Sequence, residues 1–147
     1  MNLFGVLEIS GSALKAERIR AEVVAANMAN AETTRTADGT PYRRQHVVFT
    51  SAAAEPSTFA GELMSQSEPK MGGVAVSAVV QDPASTLRRY DPGHPDADKD
   101  GYVNYPDINP LTEMVDMMGA TRAYGLNASA VQAEKGMISA SLDILKS

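Results

Sequence analysis

The chain has no cysteine and no tryptophan, only 5% aromatic residues, and no excess of basic charge. Without cysteine it has no disulfide, no thiolate nucleophile and no zinc-thiolate site, and it suits an oxidising or a reducing compartment equally. Thirteen Lys and Arg against eighteen Asp and Glu leave a net charge of −5. That balance offers nucleic acid no basic patch. Arg43-Arg44 and Arg88-Arg89 are isolated pairs beside strand-like runs, and are expected to be solvated edge charges. No apolar run approaches the roughly 20 residues of a membrane span. The first nine residues lack a basic region and are interrupted by Glu8, so no Sec-type leader is expected.

What the chain does have is two long stripes of residues spaced three and four apart, one at each end. The first runs Leu3, Leu7, Ser10, Leu14, Glu17, Ala21, Val24, Met28. The second runs Met114, Met117, Thr121, Tyr124, Ala128, Val131, Lys135, Ile138, Leu142, Leu145. Such spacing lines up side chains on one seam of a helix, as a coiled coil requires. Apolar content comes from Ala, Val, Leu and eight Met rather than aromatics, which suits helix seams and adaptable contacts. The first helix should cover about 3–29, a rod of roughly 40 Å, and end where Asn27, Asn30, Thr33 and Thr34 compete for its backbone.

The middle is punctuated differently. Asp38-Gly39-Thr40-Pro41 is a turn signal. Residues 42–50 read as a strand, 74–80 alternate as a half-buried strand, and 87–90 add a short third one. Residues 51–70 are rich in Ala, Ser, Glu and Pro and read as a mobile loop. Pro92, Pro95, Pro106 and Pro110 make 91–110 an extended connector, with Thr112 capping the last helix or lying in its first turn. The expected fold is mainly α with a small β insertion: an N-terminal helical segment 1–34, a β-rich middle unit 35–109, and a C-terminal helix 111–147. The two helices are expected to pair as an antiparallel coiled coil.

Residues 96–107 imitate a calcium loop, with oxygen ligands at positions 1, 3, 5 and 9, Gly101 at position 6 and Asp107 at position 12. The flanking prolines forbid the two helices that hold such a loop. An acidic turn, with Asp side chains taking backbone amides and Gly101 at positive φ, is therefore the stronger reading. A calcium-binding module remains the alternative, as does a generic secreted coiled-coil adaptor. His46 and His94 sit in a strand and a turn, no nucleophile elbow or phosphate loop is present, and no catalytic, cofactor or metal residue is assigned. The chain is not expected to be an enzyme.

Two sets of residues then resemble a known family. Asn27, Asn30 and Thr33, after the small residues Gly11-Ser12-Ala13-Leu14, resemble the N-terminal signature of bacterial flagellar axial proteins. Asp38-Gly39-Thr40-Pro41-Tyr42-Arg43, Gly72-Gly73-Val74, Tyr90-Asp91-Pro92-Gly93-His94-Pro95, Asp100-Gly101-Tyr102-Val103, Glu113-Met114-Val115-Asp116-Met117-Met118 and Thr121-Arg122-Ala123-Tyr124 with Asn127 resemble the basal-body rod members, nearest the proximal-rod type. The likeness spans nearly the whole chain. Gly125-Leu126 before Asn127 departs from the family pattern, and 51–70 is longer and looser than the family suggests.

The resemblance implies a structural subunit of the periplasm-crossing rod, exported by the flagellar type III apparatus without a cleavable signal. Its implied partners are copies of itself, other rod proteins, and membrane-ring or export-gate components. No nucleic acid, cofactor or direct membrane insertion is implied. Subunit assembly is expected to use Leu14, Asn27, Met28, Asn30, Met117, Met118, Arg122, Tyr124, Asn127 and Val131, with Glu17 and Lys135 as a seam pair that sets register. Exposed seams on a free subunit further suggest that about 30 residues at each end order only on docking.

Overall fold

The structure is a computed structural model, and it describes residues 3–51, 72–83 and 86–146. Helix α1 spans Leu3–Ala29 and α2 spans Pro110–Lys146, 27 and 37 residues long. Between them lie β1 (Gln45–Ser51), β2 (Val74–Gln81), β3 (Thr86–Tyr90) and β4 (Tyr102–Pro106). Most of the expected 51–70 loop falls outside the described residues.

Helix α1 stops where the sequence supplies competing side chains. Asn30 Nδ2 donates to the Ala26 carbonyl at 2.9 Å, and Asn30 Oδ1 accepts from the Thr33 hydroxyl at 3.1 Å. The first bond reaches a carbonyl of the helix's last turn, and the second holds the Asn30 side chain in place to make it. Helix α2 starts at Asn109, whose Oδ1 accepts the Leu111 N–H at 3.0 Å while its carbonyl accepts the Glu113 N–H. Pro110 takes the first helical position, where its missing N–H costs nothing. Thr112 therefore lies in the first turn, and the cap is Asn109. Gly125 sits inside α2 without interrupting it.

Among the described residues the middle forms two separate two-stranded antiparallel sheets, β1–β2 and β3–β4. In the first, His46 faces Val80 and Val47 faces Val79, with a bulge between Val48 and Phe49. It lies along α1, fastened at the far end by Ser12, whose Oγ donates to the Ile9 carbonyl at 2.7 Å and accepts the Val74 N–H at 3.0 Å. Strand β4 was not anticipated, because Pro106 and the acidic stretch made 91–110 read as a connector. Pro106 closes that strand opposite Thr86, at a strand end where a proline is tolerated.

Strand β4 and the residues just after it carry most of the buried aromatic and branched side chains. Val103 is 2% exposed, and Tyr105 and Ile108 are each 9% exposed. The guanidinium of Arg89 lies 4.8 Å from the Tyr105 ring centre and that of Arg88 lies 4.3 Å from Tyr102. The sheet is tied to the segment after α1 by the Thr34 hydroxyl, which donates to Asp96 Oδ2 at 2.8 Å. Gly101 closes the β3–β4 turn at φ +78°, and a Cβ there would meet Tyr90 Cε2 at 2.9 Å. Gly101→Ala is expected to destabilise this sheet by about 1–2 kcal/mol, the cost of left-handed backbone for a residue with a Cβ. Urea denaturation followed by tyrosine fluorescence measures it.

Candidate functional site

The most constrained polar cluster joins α1, β1 and α2. Asn27, on the last turn of α1, is 1% exposed. Its Oδ1 accepts the Gln45 N–H at 2.9 Å and its Nδ2 donates to the Gln45 carbonyl at 2.9 Å, so the amide grips both backbone groups of one residue. The same Nδ2 donates to Glu113 Oε2 at 3.1 Å, and the Tyr42 hydroxyl donates to Asn27 Oδ1 at 3.2 Å. Glu113, also 1% exposed, accepts Arg44 Nε on its other oxygen at 2.6 Å. Asp116 lies 3.7 Å from Arg44 Nη2 and 3.5 Å from Arg20 Nη2, which extends the ion pairs along α1.

Each component is held by local structure. Glu113 lies in the first turn of α2, where the helix dipole favours a carboxylate. Arg44 is half-buried and paired, which corrects its reading as a solvated edge charge. Burial first, and the neighbouring Glu113 charge second, push the Tyr42 hydroxyl pKa above its ordinary 10.0. Apolarity and spacing alone missed Tyr42, Arg44, Glu113 and Asp116. The available signal was the seven-residue spacing of Glu113, Ala120, Asn127 and Glu134.

These contacts also fix how the two helices face each other. Asn27 meets Glu113 and Arg20 meets Asp116, so α1 and α2 run antiparallel. On α2 the covered line is Glu113, Ala120, Asn127 and Glu134, alternating with Met117 and Val131. Of the ten residues of the expected stripe, Met117, Ala128, Val131 and Ile138 are half-buried, while Met114, Thr121, Tyr124, Lys135, Leu142 and Leu145 are exposed. The register does not bring Glu17 and Lys135 together: Lys135 falls level with the first turns of α1, roughly 20 Å along the axis from Glu17. Glu17 has Arg20 Nη1 at 3.8 Å instead.

Of the other expected assembly residues, Leu14, Met28 and Asn30 are half-buried on or just after α1. Asn127 Nδ2 donates to its own helix at Ala123. Met118, Arg122 and Tyr124 are exposed, with Tyr124 close enough to Arg18 to interact electrostatically. Four large apolar residues of α2 face away from α1. Leu111, Val115, Met118 and Leu126 are 71%, 61%, 59% and 68% exposed. Their spacing of four, three and eight puts them on one outer face. Among the described residues, Glu17 Oε2 and Glu134 Oε2 are buried oxygens with no hydrogen-bond donor.

The acidic loop spends its oxygens internally. Asp98 Oδ1 accepts the Asp100 and Tyr102 N–H groups at 2.9 and 2.8 Å, and Arg88 Nη2 donates to Oδ2 at 2.7 Å. Asp96 is engaged by Thr34 and Arg35. His94 Nδ1 accepts the Asp96 N–H at 3.1 Å, and its ring stacks edge-on to Tyr105. His46 is exposed on β1. Among the described residues no group of three or more acidic or His side chains is arranged to hold a metal.

Two paired helices carrying a small β insertion and an outward apolar face are the features of an assembly subunit, and two family profiles agree with that class. One described as "Flagella basal body rod protein" matches residues 7–35, and one described as "Flagellar basal body rod FlgEFG protein C-terminal" matches residues 99–144. Flagellar basal-body rod protein FlgC of Bacillus subtilis is 41% identical over 99% of this chain and 100% of its own length. Those of Borreliella burgdorferi and Salmonella typhimurium are each 37% identical, over 99% and 94% of this chain and of their own lengths. The chain belongs to the FlgC family of flagellar basal-body rod proteins. It is a structural rod protein and not an enzyme.

Two outcomes test the cluster and a third tests the acidic loop. Asn27→Ala leaves the Gln45 backbone and Glu113 short of partners and is expected to cost roughly 3 kcal/mol, read by urea denaturation. Tyr42→Phe should cost about 1 kcal/mol. Because the folded pKa of Tyr42 is raised, its contribution is complete below pH 10 and is lost as pH rises through the folded value. The variant should therefore lose part of the alkaline limb of the stability profile. For Asp98 the sign is opposite. The Tyr102 amide, then Arg88 and the Asp100 amide, hold its carboxyl below the ordinary 3.8 against an opposing effect of burial. Its contribution is present above that range and disappears on acidification through the folded value, so Asp98→Asn should flatten the acid limb.

Proposed function

We propose that the chain is a subunit of the proximal part of the flagellar rod, and that it assembles through its terminal helices into the periplasm-crossing drive shaft. The observation that carries this reading is the inside-out distribution of α2. Small and polar residues (Ala120, Asn127, Glu134) pack toward α1, while Leu111, Val115, Met118 and Leu126 face outward. A monomer gains nothing from that arrangement, since an exposed apolar face of this kind marks an interaction surface. Contacts between unlike faces of neighbouring subunits extend as a helix rather than closing on themselves, as a shaft requires.

In this reading the antiparallel helix pair behaves as a short coiled coil with a polar lock at one end. The partners are copies of the chain and the other rod proteins, together with ring or export-gate components of the basal body. Delivery is by the flagellar type III apparatus. Export through a narrow channel suits segments that order late, so the two terminal helices are expected to gain much of their protection only on docking. Met118, Arg122 and Tyr124 supply contacts between subunits. Asn27, Asn30 and Asn127 hold the subunit's own shape.

Met118→Asp should leave the melting temperature of the purified chain within about 2 °C of the parent, because the residue buries little in the monomer. In cells lacking the parent chain it should abolish motility and stop basal bodies at the stage before rod growth. Normal swimming with this variant would remove the outer face from the assembly surface. Hydrogen exchange on the dilute monomer tests the late ordering: fast exchange is expected over the first and last 30 or so residues outside the turn that Asn27 holds, and strong protection of both ends would overturn it.

A further inference from the structure

The chain contains no cysteine, so its readily oxidised sulfur is all in methionine. Among the described residues the methionines are Met28, Met114, Met117, Met118 and Met137. Their surroundings divide them. Met28 and Met117 are half-buried, whereas Met114, Met118 and Met137 are 48%, 59% and 52% exposed. Met114 and Met118 stand one helical turn apart in α2. With Leu111 and Val115 they form a stripe at positions i, i+3, i+4 and i+7 over the first turns of that helix, and every member of it is exposed. Met137 lies about 28 Å further along the axis. Its surface neighbours three and four residues away are Ala133, Glu134, Ala140 and Ser141, so its own helix sets only small or charged residues beside it.

We propose that Met114 and Met118 are a modification site, at which oxidation to the sulfoxide by a hydroperoxide withholds the subunit from assembly. A sulfide lone pair attacks one peroxide oxygen, the O–O bond breaks, and the other oxygen leaves as water or, from an organic peroxide, as an alcohol. The sulfur gives up two electrons and the peroxide takes them. Each event sets a strong acceptor, the S=O oxygen, in the middle of an apolar stripe. In the free subunit water satisfies that oxygen, so the fold is kept. Covering the stripe with another subunit strips the water and leaves the oxygen without a donor. The lesion therefore acts on association and not on folding. Sensitivity belongs to subunits not yet built in, because a covered sulfur is closed to the oxidant. A thiol-dependent sulfoxide reductase reverses the step: two thiols become a disulfide and the oxygen leaves as water. The inference rests on the assembly reading of the outer face given above, and adds a chemistry that regulates it.

The purified full chain is treated with hydrogen peroxide, and sulfoxide formation at each methionine is followed by peptide mass spectrometry. Met114 and Met118 should oxidise at least about threefold faster than Met117 and Met28, in keeping with their exposure. At the stage where the pair is oxidised and Met117 is not, the chain should melt within about 2 °C of the untreated one. Two variants carry the test into cells lacking the parent chain. In Met114→Gln/Met118→Gln a neutral polar group stands for the sulfoxide, and Met114→Leu/Met118→Leu has no sulfur to oxidise there. The glutamine pair should fall at least about tenfold in its amount in isolated basal bodies. A peroxide pulse before rod growth should lower incorporation of the parent several-fold, while the leucine pair holds to its own untreated level.

Oxidation of Met117 or Met28 ahead of the pair overturns the proposal. So does a large fall in melting temperature on oxidation, which makes the lesion one of folding. Parental incorporation of the glutamine pair while Met118→Asp blocks assembly overturns it and leaves the assembly reading standing. Parental incorporation of both overturns both. A leucine pair that loses as much to peroxide as the parent places the sensitive group elsewhere, and overturns the assignment to these two sulfurs. A leucine pair that fails to incorporate untreated shows that the stripe requires sulfur rather than an apolar side chain, and overturns it too.

Discussion

The carboxylate of Glu113 is the interaction on which the rest of the fold depends. A buried charge of this kind contributes little net stability, because its desolvation offsets most of what its partners return. What it does impose is geometry. Arg44 must arrive from the strand side on one oxygen, Asn27 must arrive from α1 on the other, and Glu113 itself must sit in the first turn of α2. Those three requirements together constrain the relative placement of the helices and the β1–β2 hairpin. The helix register and the outward turn of Met118 and Leu126 go with that placement.

This polar lock explains why a weakly amphipathic helix pair has a defined register at all. Ala120, Ala123 and Asn127 are too small to choose between neighbouring registers by interdigitation alone. A pair whose seam held only Met, Val and Leu could slide by a heptad with little loss. A single polar position that tolerates one alignment is the recognised remedy in coiled coils. Here the lock reaches beyond the seam to a third element, so the register of the helices and the docking of the hairpin are set by one event.

Much of the architecture was legible in the sequence, because local rules decide it. The span of α1, the strands around Val47, Val76 and Arg88, and the Asx-type turn at Asp98 each depend on neighbours in the chain. The family resemblance carried by Asn27, Asn30 and the motifs downstream was legible for the same reason. Three things were not. Strand β4 hid because Pro106 and the aspartates resemble a connector, although Tyr102, Val103 and Tyr105 alternate as a strand does. The true seam of α2 hid because hydrophobicity picks out Met114 and Leu142, while long-range pairing with Arg44 and Asn27 pulls Glu113 inward. Arg44 itself looked like surface charge, since nothing within ten residues of it announces a buried carboxylate from the far end of the chain. In a subunit designed to be covered by others, the most apolar stripe is a poor guide to the face buried within one chain.

Asn27 holds β1 by the N–H and C=O of Gln45 and makes no use of that residue's side chain. A grip on main chain is indifferent to sequence at the point gripped. Position 45 can therefore carry other side chains, proline excepted because it lacks the N–H, while the strand stays anchored at the same place. Asn27 has no such freedom, because only a carboxamide offers a donor and an acceptor side by side at that spacing. The clasp thus separates what must stay constant in this fold from a site where a flagellar lineage can alter its surface without disturbing the frame beneath.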